Sequence, residues 1–237
     1  MKTYASLTEA QLERLRRVDS VTLANAIERF NVRLRNTGFT DRTIRCFSPK
    51  LPPIAGYAVT ARVSTSEPPM EGRGFRDGTE WWQHIVSVPK PRVVVLEDVG
   101  NVPGLGALVG GVHASILSAL GCVGVVTNGA VRAVRFNRGC GFAMFAGNLS
   151  VSHAYAHIIE FGGPVTVGGM KVAPGDLLHG GVHGVQTVPM EIAERIPDAA
   201  ERILHENGQL IALCQSSDVT LEKIVAKINL GPSDTNG

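Results

Sequence analysis

Apolar positions along this chain recur with two periods, and the change from one to the other marks its elements. Val93 to Leu96 and Val123 to Val126 are short unbroken apolar runs, as expected of strands covered on both faces. Between them Val112, Ile116, Leu117 and Leu120 fall at helical spacing, and Gly121 follows as a stop. Strand, helix and strand in this order predict a βαβ unit. Ile54 to Ser64 alternates and predicts another strand, and Phe142 to Phe145 predicts a shorter one. Two β-rich runs flank Gly168-Gly169, the strongest hairpin signal in the sequence. Leu177 to Pro189 reads as a turn and a last strand.

Helical spacing dominates both ends. Thr8 to Arg17 opens with Thr8 and Gln11 at capping-box spacing. Ser20 to Phe30 places Leu23, Ala26, Ile27 and Phe30 on one face, with Thr22 and Asn25 near its start as capping, surface or cleft-lining residues. After Pro189, the segments Met190–Ile196, Asp198–Asn207 and Leu221–Ile228 read as helices, and the last six residues as a frayed end. The pattern predicts one α/β domain with a mixed sheet. Residues 1–30 form N-terminal helices, 31–189 the core and 190–237 a C-terminal helical arm.

Composition narrows the function. The 237 residues carry 23 basic and 21 acidic side chains, a net charge of +2, which argues against a nucleic-acid or membrane surface as the main partner. The four cysteines are scattered with no CxxC pair, which predicts free thiols in a reducing, cytoplasmic setting. The polar N-terminus reads as no signal peptide, and no apolar run approaches the roughly 20 residues of a membrane span.

Candidate chemistry concentrates where the first βαβ strand gives way to its helix. The loop holds Gly100, Gly104, Gly106, Gly110 and Gly111. Glycine-rich turns of this kind also occur where backbones merely pack closely. At a helix start, however, outward amide N–H groups carry partial positive charge and hold anions. Arg132 follows the second strand after Asn128-Gly129, read here as a turn, and can close on the same anion with a two-pronged fork. The expectation is a pocket for a small carboxylate between Gly110, Gly111, Val112, His113 and Arg132. It is not a dinucleotide site: the third glycine of that fingerprint is Val109, and the second strand ends in Thr127-Asn128 without a ribose-binding acid. No GK[ST] motif is present either, so no nucleotide cofactor is expected.

Other features are less specific. Residues 67–78 are polar and glycine-rich, as in a flap or an oligomer arm. The adjacent Trp81 and Trp82 cannot share one helix face, so one should meet an interface or overlie the cleft. His153 and His157 share a face if their segment is helical, a spacing that can hold a metal, although packing or capping accounts for them equally.

Two longer stretches carry a family likeness. GALVGGVHASILSALGCVGVVTNGAVRAV from Gly106, and FAGNLSVSHAYAHIIEFGGPVTVGGMKVAPGDLLHGGVHGVQTVP from Phe145, resemble the RraA-like family. That family groups the regulator of ribonuclease activity A with the class II 4-hydroxy-4-methyl-2-oxoglutarate aldolases. The resemblance runs from about Ser20 to Pro189. It implies a β/β/α swivelling-type domain in trimers or hexamers. It further implies release of pyruvate from 4-hydroxy-4-methyl-2-oxoglutarate-type 2-oxo acids, or oxaloacetate decarboxylation, with a magnesium or manganese ion. Arg132 takes the place of the arginine that stabilises the enolate, and Gly110 to His113 that of the carboxylate-binding amides.

The departures are specific. By the resemblance, an aspartate that ligates the metal follows the arginine, a glutamate follows the glycine matching Gly110, and many relatives carry an acid before the HG pair. This chain has Ala133, Gly111 and Gly181 there. Magnesium needs oxygen ligands, so its affinity here should collapse. Asp98, His113, His153, His179 and His183 are the candidate substitutes, and histidines would favour zinc or a metal-free acid–base route. The alternative to a lyase is a non-catalytic carboxylate-binding or protein-regulating homo-oligomer.

Overall fold

The computed structural model describes residues 6–70 and 78–229, except that the side chains of residues 137 and 138 are outside the description. In chain order the elements are α1 (Glu9–Arg16), α2 (Ser20–Glu28), β1 (Arg45–Cys46), β2 (Ile54–Ser64), α3 (Thr79–Ser87), β3 (Arg92–Asp98), α4 (Gly111–Ala119) and β4 (Cys122–Val131). There follow α5 (Val134–Gly139), β5 (Ala143–Leu149), β6 (His157–Phe161), β7 (Val165–Val167), β8 (Met170–Val172), β9 (Leu177–Gly181), β10 (Gly184–Thr187), α6 (Ile196–Cys214) and α7 (Leu221–Asn229).

One mixed sheet runs β1-β5-β4-β3-β2-β9-β10, with β6 also on β2. Strands β2, β3, β4 and β5 are parallel, and β1, β6 and β9 are antiparallel to their neighbours. The β3-α4-β4 unit sits at the centre, as its apolar runs require. Strand β2 is buried almost throughout and not on alternate residues. It is long enough to pair β3 along one edge while its start pairs β9 and its end pairs β6 on the other.

Alternation along the strands feeds two cores. Val94, Leu96, Tyr57 and Val59 face α1, α2, α3, α4 and α6. Val93, Val95 and Ala58 face the β7–β8 hairpin with Val165, Val167 and Met170. That hairpin turns through Gly168 (φ 53°) and Gly169 (φ 73°), a backbone that glycine supplies without strain. The Arg92 guanidinium is buried under the sheet. It donates to the carbonyls of Val86, Val88 and Leu120, and so closes the ends of α3 and α4.

Several expectations are corrected. In α4 the buried face is Ala114 and Leu117, while Val112 and Ile116 point outward. Asn128-Gly129 is not a turn but lies inside β4, at an irregularity between Thr127 and Ala130. There the Asn128 amide bonds the Asp98 backbone of β3, accepting from its N–H (2.7 Å) and donating to its carbonyl (2.9 Å). The segment 150–156 is not helical, so helical spacing does not join His153 to His157. The last stretch of the core forms two strands, β9 and β10, around Val182-His183. Residues 190–195 form turns, and α6 begins at Ile196. The expected arm is divided: Ile192, Ile196, Ala199, Ala200 and Ile203 join the main core, whereas α7 buries none of its residues. Most of the expected 67–78 flap, residues 71–77, and the expected frayed end lie outside the described residues. Among the described residues no helix is long and apolar enough to cross a membrane.

Candidate functional site

Register places the candidate site. After β3 the chain loops through residues 99–108 and returns to the sheet at Val109, which bridges Val131 in parallel. The Arg132 amide donates to the Val109 carbonyl at 3.1 Å. The next residues of the two strands, Gly110 and Arg132, therefore lie side by side. A Cβ at Gly110 would sit 2.9 Å from Arg132 Nε and 3.2 Å from its Cγ, so the arginine stem runs directly over the glycine. Arg132 Nη1 also donates to the Val151 carbonyl at 3.3 Å.

Gly110 is the N-cap of α4 and offers no side chain to the first-turn amides of Gly111, Val112 and His113. Those amides carry the positive end of the helix dipole. Phe136 of α5 covers Gly111, with its Cδ1 3.0 Å from where a Cβ would stand. The His113 ring meets Trp82 edge-on, with centroids 5.4 Å apart. The two tryptophans therefore divide as their adjacency requires: Trp81 is buried against Phe161 and His84, and Trp82 reaches the mouth of α4.

The loop that delivers Gly110 is fastened by acids whose roles the sequence did not reveal. Asp98 is buried, and its carboxylate accepts from Thr65 Oγ1 (2.8 Å), Gly104 N (2.8 Å) and Gly100 N (3.1 Å). Glu67 accepts from Ser64, Ser66 and the Asn101 amide, and these bonds, Ser66 first, hold its carboxyl down to about 2. Gly106 packs so closely that a Cβ would lie 2.2 Å from the His153 carbonyl oxygen. Close packing accounts for Gly106, and Gly110 in turn has the Arg132 stem against it.

The expected substitute ligands do not gather. Asp98 is taken up by the loop. His179 is wholly buried on β9, with Nε2 against the Val18 carbonyl at 3.1 Å. Burial pushes its imidazole down to about 4, so it is neutral. His183 lies at the β9–β10 turn beside a cleft with Ser20, Asn25 and Phe39. His113 faces Trp82. His153 and His157 share a different cavity, with Leu108 and Tyr155. Among the described residues no three His, Cys, Asp or Glu side chains come together as a metal site. Among the described residues, the two positions beside Arg132 where the resemblance expects carboxylates hold the methyl of Ala133 and a glycine at 111 with the Phe136 ring against it, which do not fit magnesium or manganese. Ala133 also holds a left-handed backbone, φ 57°, which aspartate and asparagine adopt more readily than alanine. Gly181 faces the Ser20 hydroxyl, 2.8 Å from where its Cβ would be.

Comparisons with known proteins bear on both fold and family. A putative 4-hydroxy-4-methyl-2-oxoglutarate aldolase from Halalkalibacterium halodurans is 27% identical over 111 residues, 46% of this chain. The chain matches about half of that relative's length, 52%. Among solved structures, an uncharacterized Pseudomonas syringae protein superposes with TM-score 0.72 at 19% identity, covering 95% of this chain and 97% of that one. RraAS2 of Streptomyces coelicolor, an unusual member of the RNase ES inhibitor RraA protein family, gives 0.67 at 19% identity over 87% and 98%. At that identity the likeness establishes the fold alone. The profile described as RraA-like, Aldolase/RraA, matches residues 20–186, and the chain belongs to this RraA-like family.

Proposed function

We propose that this protein binds a small 2-oxo or hydroxy carboxylic acid, with the carboxylate held between the α4 amides of Gly111, Val112 and His113 and the Arg132 guanidinium. The observation that carries this reading is the contact of Arg132 with Gly110, which sets a fixed cation beside the amide end of a helix. Gly110 contributes by lacking a Cβ, which leaves the arginine stem its place.

By family, the reaction is carbon–carbon cleavage that releases pyruvate. When a 2-oxo acid with a 4-hydroxyl breaks its C3–C4 bond, the electron pair moves toward C2 and charge develops on the 2-oxo oxygen. A guanidinium shared between that oxygen and the carboxylate stabilises the developing charge. The 4-hydroxyl loses its proton as C4 becomes the carbonyl of the second product, and a proton from water at C3 then gives pyruvate. Arg132 is the proposed catalytic residue. Relatives are expected to use a divalent metal here, but no step at this site is assigned to one, because Ala133, Gly111 and Gly181 supply no carboxylate.

That donor set also supports a second reading, a carboxylate-binding or regulating protein without turnover. A pyruvate-release assay on 4-hydroxy-4-methyl-2-oxoglutarate and on oxaloacetate, with and without chelator, separates the two. The lyase reading predicts release that survives chelation and is abolished in Arg132→Ala. Absence of turnover together with Arg132-dependent oxalate binding selects the second reading. Either form is proposed to be a homo-oligomer, a trimer or hexamer, with no nucleic-acid or membrane partner. Val112, Phe136 and Val151, which are 79%, 56% and 97% exposed around the site, supply apolar surface for such contacts.

A further inference from the structure

A cavity of about 400 Å³ opens beside the loop that ends in Gly110. Its lining includes Pro69, Leu108, His153, Tyr155, Ala156 and His157. Two connections bring it close to Arg132. Leu108 stands two residues before Gly110, and His153 stands two residues after Val151, whose carbonyl accepts from the Arg132 guanidinium. The Ala107 amide donates to the Ser152 carbonyl at 3.0 Å, so loop and lining segment run against each other. Ala154 (φ 47°) turns the lining chain, allowing His153 and His157 to flank one space. His157 Nδ1 lies 2.7 Å from the Tyr155 carbonyl, which can only accept. Nδ1 therefore carries a proton and donates to that carbonyl.

The chemistry of this lining is aliphatic and aromatic. Among the described residues it contains no lysine or arginine. A second carboxylate placed there would be desolvated with no lysine or arginine of the described lining to pair it. An uncharged ring would bury apolar area against Leu108, Pro69 and Tyr155, and the volume is within the range of sites for small organic ligands. Resting on the carboxylate reading above, we infer that this cavity receives the tail of the ligand. The favoured class is then 2-oxo monocarboxylates with an apolar or aromatic tail, in preference to a dicarboxylic acid such as 4-hydroxy-4-methyl-2-oxoglutarate.

Calorimetric titration of the full chain with oxalate, pyruvate, phenylpyruvate and 2-oxoglutarate tests this. Phenylpyruvate is expected to bind at least about tenfold tighter than pyruvate, and 2-oxoglutarate no tighter than pyruvate. Tyr155→Ala and His157→Ala should each remove several-fold of the phenylpyruvate advantage and leave oxalate unchanged. Arg132→Ala should weaken all four. Tighter binding of 2-oxoglutarate, or equal binding of phenylpyruvate and pyruvate, overturns the tail assignment, and the carboxylate site still stands if oxalate depends on Arg132. A phenylpyruvate advantage untouched by both cavity variants also overturns it. Oxalate binding indifferent to Arg132 defeats the underlying carboxylate reading instead.

Discussion

Gly110→Ala isolates the contact on which the site depends. Gly110 has φ −122° and ψ −166°, an extended backbone that any residue adopts, so the substitution carries no backbone strain. The added methyl would stand 2.9 Å from Arg132 Nε, 3.2 Å from Cγ and 3.6 Å from Cδ. Restoring ordinary contact moves the guanidinium by about 0.5–1 Å, since carbon contacts sit near 3.5–4.0 Å. The charge stays, but the fork no longer meets a carboxylate held by the α4 amides. Losing one charge-assisted hydrogen bond costs about 1.5–3 kcal/mol, which is roughly 10- to 100-fold in affinity. Oxalate titration by calorimetry reads this loss, and a melting curve checks the fold. Gly78→Ala is the control, because a Cβ there meets nothing within 4 Å. The reasoning is refuted if Gly110→Ala binds oxalate within twofold of the wild type while melting normally.

Four further outcomes follow from other contacts of the fold. Ala133→Asp places a carboxylate at a left-handed position that suits it, so it should fold normally and raise magnesium affinity measurably in calorimetry; unchanged affinity would count against the alignment of this site. Gly111→Glu must first push Phe136 aside and should add less. Asp98→Ala strands a hydroxyl and two amides in the loop and should cost about 3–5 kcal/mol, seen as a lower denaturant midpoint and faster proteolysis within 99–106. His179, held down to about 4 mainly by burial, binds its proton more readily when unfolded. Its contribution is whole above the unfolded value near 6.5 and fades as pH falls toward 4, by about 3 kcal/mol. His84, also lowered by burial, acts with the same sign. Denaturation at pH 7, 5.5 and 4.5 should show this slope, flattened in His179→Leu.

The sequence revealed what local pattern decides. Unbroken apolar runs at Val93 and Val123 marked central strands, Gly168-Gly169 marked a hairpin, and glycines before Val112 marked a helix mouth facing an arginine. It misled where the determinant was distant. Val112 and Ile116 belong to an apolar stripe, yet Leu117 and Ala114 are the residues the sheet covers. Asn128-Gly129 has turn chemistry, but the Asn128 amide is spent on the edge of β3. Asp98 looked like a stand-in metal ligand because its carboxylate is near the loop, and only the fold shows three donors consuming it. His153 and His157 stand four apart and share a cavity without a helix between them, whereas His179 and His183, also four apart, lie one buried on β9 and the other at the β9–β10 turn.

The most direct test of the carboxylate site is a crystal structure of the protein with oxalate bound. The account predicts oxalate oxygens within hydrogen-bond distance of the α4 first-turn amides and of the Arg132 guanidinium, over Gly110. Oxalate ordered elsewhere, with Arg132 turned away from that helix mouth, would contradict it.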